Sequence, residues 1–203
     1  MKILVIADTE SKYYYDYFTP EKMDQFDMIL ACGDLSRSYL EFLVTMANKP
    51  LIYVRGNHDD SFNENPPEGC VCADGRVIVQ NGIRILGLGG TLKYRPGLNM
   101  YTENQMRRRI LRLWFSIWRH RGFDILLTHA PARGLGDLDD RPHRGFECFR
   151  KLLDRYHPAY MIHGHVHMNY GPFIKRRSRY GDTEIINAWE STLLEFPSIE
   201  KNG

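Results

Sequence analysis

Residues 51–59 read Leu51-Ile52-Tyr53-Val54-Arg55-Gly56-Asn57-His58-Asp59, an apolar, β-branched run that breaks near a glycine and then presents an amide, an imidazole and a carboxylate in succession. The length and composition of the run predict a buried strand, and the glycine predicts a sharp turn at its carboxyl end. The same arrangement repeats on either side. Ile3 to Ala7 leads into Asp8-Thr9-Glu10, and Met28 to Ala31 leads into Gly33-Asp34. Further on, Ile125 to Thr128 delivers His129, and Tyr160 to His163 delivers Gly164-His165-Val166-His167. Polar, ligand-type side chains therefore stand at the carboxyl ends of successive strands, where open α/β sheets gather their ligand sites.

Helical stretches lie between these strands. Thr102 to Arg121 opens with the capping-box sequence Thr102-Glu103-Asn104-Gln105 and carries a stripe of Met106, Ile110, Leu113, Trp114, Ile117 and Trp118, which reads as core. A second helix is expected from Phe146 to Tyr156, stopping before Pro158. Asn81-Gly82 sits between Val77 to Val79 and Ile83 to Leu88, and because both residues tolerate positive φ the sequence predicts a tight antiparallel hairpin. Ile185 to Ala188 reads as a further strand, whereas Phe62 to Gly69 and the basic turn Lys175 to Arg179 read as surface excursions. The sum is a mixed α/β sandwich in a single domain over residues 1–203.

A chain of 203 residues with 43% hydrophobic and 26% charged content can bury a substantial core, and its composition excludes disordered and fibrous classes. Cys32, Cys70, Cys72 and Cys148 lack the spacing of a zinc cage and are expected as reduced thiols. Met1 to Ala7 is too short for a signal peptide, and the chain has no run of apolar residues long enough to span a bilayer. A cytoplasmic protein without a membrane anchor is expected.

Carboxylates, imidazoles and one amide oxygen suit divalent ions such as Mn²⁺, Fe²⁺ or Zn²⁺ in an open, hydrolytic site. The ordered set Gly33-Asp34, Gly56-Asn57-His58-Asp59, Thr128-His129 and Gly164-His165-Val166-His167 resembles the calcineurin-like metallophosphoesterase family. Within it, His129-Ala130-Pro131 and Tyr170-Gly171 are most similar to the small branch that includes animal brain metallophosphoesterase-domain proteins. The resemblance implies a four-layer α-β-β-α sandwich with two mixed sheets and a pair of divalent ions, with Mn²⁺ preferred and Fe²⁺, Zn²⁺ or Mg²⁺ as alternatives. It implies one ion held by Asp8, Asp34, His167 and residue 10, and a second held by Asp34, Asn57, His129 and His165. His58 would be the general acid and Asp59 would orient its ring. The departure is Glu10, which stands where the family usually carries histidine; a glutamate can ligate and would favour a harder ion, or it can point away.

Other features admit plain structural roles. The arginines between Arg107 and Arg121 favour a solvated face over a nucleic-acid-binding one, Tyr13 to Tyr17 favour packing, and Arg141 and His143 could contact a substrate phosphate. The leading expectation is a metal-dependent phosphodiesterase for a small or nucleotide-like phosphoester. The alternatives are a metal-binding scaffold whose catalysis is weakened by Glu10, and a metal-dependent nuclease.

Overall fold

The computed structural model describes residues 1–197. The chain opens with β1 (Lys2–Ala7), α1 (Pro20–Asp24), β2 (Met28–Ala31), α2 (Arg37–Ala47), β3 (Leu51–Tyr53) and β4 (Val71–Cys72). It continues through β5 (Arg76–Gln80), β6 (Ile83–Leu88), β7 (Thr91–Leu92), β8 (Met100–Tyr101), α3 (Glu103–Arg112) and α4 (Trp114–Arg119). It closes with β9 (Ile125–Thr128), α5 (Glu147–Tyr156), β10 (Tyr160–His163), β11 (Arg177–Tyr180), β12 (Thr183–Asn187) and β13 (Glu190–Glu195).

One sheet has the order β13-β1-β2-β3-β4 and the other β11-β12-β10-β9-β6-β5, with β7 and β8 as a separate pair. Both are mixed. β1 to β4 run parallel and β13 returns antiparallel to β1, while β6, β9, β10 and β12 run parallel between antiparallel edges. Strand alternation decides the layers. Ile3, Val5 and Ala7 of β1 face Ile85, Ile125 and Leu127 of the other sheet, and Leu4 and Ile6 face Tyr39, Leu40 and Leu43 of α2. On the far side, Leu126 and Met161 pack on Met106, Phe149 and Leu153 of α3 and α5. Helices thus cover the outer face of each sheet and every central strand is buried on both sides, which is why those strands read as continuous apolar runs. The expected four-layer sandwich is the fold.

The hairpin forms where its sequence predicts it, with Asn81 at φ 52°, Gly82 at φ 82° and Gln80 opposite Ile83. Other expectations are corrected. Thr102 to Arg121 is two helices, broken at Leu113, whose N–H is shared by the carbonyls of Ile110 and Leu111. The break keeps Leu113 and Ile117 in the core but turns Trp114 and Trp118 to solvent at 62% and 68% exposure, so the two tryptophans are not core. The stripe read from sequence was wider than the face that the sheet can cover. The last three residues of the basic turn, Arg177 to Arg179, belong to edge strand β11 (Arg177–Tyr180), where arginines suit an open edge. Tyr14 and Tyr15 do pack, against the α2 layer, while Tyr13 and Tyr17 are exposed.

At the start of α3, Thr102 Oγ1 accepts the Gln105 N–H at 3.2 Å and Gln105 Oε1 accepts the Thr102 N–H at 2.8 Å. Thr102→Ala should therefore lower stability by about 1 kcal/mol, read as a shift of the urea midpoint. An unchanged midpoint would show that this cap contributes nothing to the fold.

Candidate metal centre

Three of the strand-end residues adopt left-handed backbone conformations: Asp8 at φ 62°, Asp34 at φ 56° and His165 at φ 68°. Such geometry is uncommon outside glycine and is concentrated at functional sites. Its effect here is to aim all three inward from the carboxyl ends of β1, β2 and β10. Gly56 makes the approach feasible, because a Cβ there would overlap the Asp34 carboxylate and lie 2.6 Å from the Asp34 nitrogen.

The side chains interlock. Asp8 accepts the His165 N–H through both oxygens, at 3.0 and 2.9 Å, and Asp34 Oδ1 accepts the His58 N–H at 2.8 Å. Two imidazoles have one nitrogen committed to a backbone carbonyl: His129 Nδ1 donates to Cys32 O at 2.6 Å and His165 Nε2 to Pro142 O at 2.9 Å. Each leaves its second nitrogen for a ligand, the usual outer-shell arrangement of metal-bound histidine. For His129 that second atom, Nε2, lies 3.1 Å from Asn57 Oδ1 and 3.3 Å from Asp34 Oδ2. One ligand atom each from Asp34, His129 and His165 falls within 4.8 Å of the others.

Electrostatics favour a cation at this point. Burial pushes the Asp8 carboxyl up to about 7 and, with Asp34 nearby, the Asp59 carboxyl up to about 6. Burial pushes His165 down to about 3, so its lone pair is available to a metal. For the buried pair, burial alone would raise Asp34 and lower His129, but their mutual attraction wins and shifts each in the opposite direction. A proton on His129 thus takes the place that a metal would compete for. These residues fit a divalent ion: oxygen and imidazole donors, two histidines held by carbonyls, and buried carboxylates short of positive charge.

Above the cluster is a pocket of about 320 Å³ lined by Asp8, Asp34, Asn57, His58, His165 and His167 together with Tyr94, Pro142, His143 and Tyr170. His129 is fully buried and does not itself line the pocket, but it touches two residues that do, Asn57 and Asp34. His167 stacks on Tyr170, with ring centroids 4.8 Å apart, and its Nε2 lies 4.0 Å from Asp8 Oδ1. Two candidates lie elsewhere. Glu10 does not line the pocket; it is half-buried on the Tyr39 side, where, after burial itself, it helps raise the tyrosine hydroxyl. Asp59 does not orient the His58 ring: its Oδ2 accepts the N–H groups of Asp34 at 2.9 Å and Gly56 at 2.7 Å. The ring of His58 instead meets Arg95, with Nδ1 3.4 Å from Nη2.

Tyr94 and Arg95 were not found from sequence. They sit between β7 and β8 in a loop with no motif, and only tertiary packing brings Tyr94 OH to 3.4 Å from Asn57 Nδ2. His163, left without a role by the sequence, is buried beside Gly164 O and pushed down to about 4 by that burial.

Residues 1–169 match the family of calcineurin-like phosphoesterases. The chain belongs to that family. Among curated proteins, this phosphoesterase is similar to two from Caenorhabditis elegans. It is 24% identical to UPF0046 protein K07C11.7, over 93% of this chain and 69% of that one. It is 25% identical to UPF0046 protein T07D4.2, over 77% of this chain and 50% of that one. Its fold is shared with TT1561 of Thermus thermophilus, at a TM-score of 0.60 and 13% identity, covering 93% and 89% of the two chains. Divalent-metal binding is a property of the family, and among the described residues no helix is long and apolar enough to cross a membrane.

Because a proton on His129, whose imidazole its attraction to Asp34 pushes up to about 9, must leave when a metal enters, apparent metal affinity should rise with pH up to about 9, with roughly one proton released from this group per ion. Calorimetric titration with Mn²⁺ in buffers of different protonation enthalpy measures this. Affinity independent of pH between about 6 and 8 would place the metal away from His129.

Proposed function

We propose that this calcineurin-like phosphoesterase is a two-metal phosphodiesterase acting on a small or nucleotide-like substrate. The observation that carries the reading is the convergence of Asp34, Asn57, His129 and His165 beneath a small pocket walled by Tyr94 and Tyr170. Asp8, Asp34 and His167 would hold one ion and Asp34, Asn57, His129 and His165 the other, with Asp34 shared and Mn²⁺ the preferred metal. Bound divalent ions supply Lewis acidity, drawing charge from the phosphoryl oxygens and acidifying the attacking water.

The chain's own residues do the rest. Cys32 O and Pro142 O fix the rings of His129 and His165. Arg95 can only donate, so its contact keeps His58 Nδ1 an acceptor and leaves the ring proton on Nε2, where it can pass to the leaving oxygen. Apart from Arg95, which is turned to the His58 ring, no lysine or arginine is at the pocket among the described residues, which suits a singly charged diester better than a doubly charged monoester. The tyrosine walls offer faces for a base or an aryl group.

A second reading follows from Glu10. With that carboxylate outside the pocket, the first ion keeps three candidate ligands, and a protein holding one firm ion would serve as a metal-binding scaffold with weak turnover. Glu10→Ala should leave metal content unchanged. Glu10→His separates the two readings, because a large joint rise in occupancy and rate on adding the histidine would favour the scaffold.

Two measurements test the main proposal. Elemental analysis should find metal in the parent and little in an Asp34→Ala, His129→Ala variant; equal content would place the ions elsewhere. His58→Ala should lower turnover of an alkyl-leaving diester by roughly 10²–10⁴-fold while sparing a nitrophenyl diester. An equal loss on both would make His58 a structural residue.

A further inference from the structure

The face made by α3 and α4 carries a surface that the phosphoesterase site does not use. Leu111, Trp114, Phe115 and Trp118 are 66%, 62%, 53% and 68% exposed, and they are contiguous: the Phe115 ring lies 5.9 Å from Trp114 and 5.8 Å from Trp118. A patch this apolar on an otherwise ordinary surface marks an interaction site. The ion pairs of the region are Arg107 with Glu103, Arg109 with Asp74 and Arg84 with Asp124. Arg108, Arg112, Arg119 and Arg121 are exposed and have no carboxylate partner among the described residues.

Charge selects the partner. A second copy would set one arginine rim against another, so the occupant must be anionic. Single-stranded nucleic acid would need a row of open ring faces; Phe115 and Trp118 are tilted by 31°, but Trp114 stands edge-to-face on Phe115 at 76° and Leu111 has no π face, so the patch offers no such row. Indole, phenyl and leucyl groups surrounded by arginine are the chemistry of a helix lying in a bilayer interface, with apolar side chains among the upper acyl chains and guanidinium groups among lipid headgroups. We propose that the α3–α4 face docks this protein on an anionic lipid surface.

The placement is compatible with activity. Beside the patch, a groove lined by Trp114, Trp118, Arg121 and Arg155 also includes Asp124 and Ala159, which immediately precede β9 and β10. The patch therefore borders the amino ends of the strands whose carboxyl ends hold the metal centre, and docking leaves that centre facing water.

The test uses the full chain and sedimentation with vesicles of phosphatidylcholine alone or containing roughly one-third phosphatidylserine. The parent should bind the anionic vesicles, release with salt and show a blue shift in tryptophan fluorescence. Trp114→Ala with Trp118→Ala should weaken binding roughly tenfold or more. Arg112→Glu with Arg119→Glu should weaken it roughly 10- to 30-fold, and thermal melting confirms that each pair still folds. If the tryptophan pair unfolds, the arginine pair decides alone. Equal binding to both vesicles, or binding unchanged by a folded variant, overturns the proposal. So does patch-dependent binding to single-stranded RNA or to a second copy without binding to vesicles. The readout does not pass through catalysis, so its failure and that of the phosphodiesterase reading are distinct.

Discussion

Two backbone N–H groups, those of Asp34 and Gly56, converge on one oxygen of the buried Asp59 carboxylate. This junction ties the loop after β2 to the loop after β3, two segments whose strands are parallel and cannot be joined by a turn. It also holds Asp34 in its left-handed conformation, which would otherwise relax. Asp34 in turn accepts the His58 N–H and faces His129, so the site's register passes through a carboxylate that does not line the pocket. A glycine is required at 56 because the junction leaves no room for a Cβ between the two loops.

Close placement of buried acids has an electrostatic consequence. Asp8, Asp34 and Asp59 lie near enough to perturb one another, and burial disfavours each charge. With their pKa values raised, Asp8 and His129 can hold protons that offset that charge, and a divalent ion offsets it instead by taking the lone pairs those protons would occupy. The same crowding of buried acids suits the centre to a divalent ion.

Parallel strands also give the molecule two unlike ends. Carboxyl ends of β1, β2, β9 and β10 carry the acids and histidines; the amino ends of β9 and β10 adjoin the aromatic and arginine-rich surface of α4. Crossover connections on the outer faces create this separation, because each helix returns the chain to the end from which its preceding strand began. Chemistry and docking can therefore occupy one small fold without competing for surface.

Apart from the edge strands β4, β11 and β13 and the β7–β8 pair, the sequence by itself determined the strands and the residues at their ends. Their runs are local, doubly buried strands need apolar side chains at every position, and a parallel strand must deliver its next residue to the same edge as its neighbour. Asp8, Asp34, Asn57, His58, His165 and His167 come to one pocket for that reason, with His129 buried against Asn57 and Asp34. Tertiary structure alone decided how those residues are supported and what surrounds them. The duty of Asp59, the direction of Glu10, the arrival of Tyr94 and Arg95, and the Pro142 carbonyl behind His165 all depend on contacts between distant segments. The outward turn of Trp114 and Trp118 depends on a helix break without glycine or proline to announce it. Periodicity records which side chains can be buried, but which are buried depends on how much of the helix the sheet can cover, and that area exists only after the chain has folded.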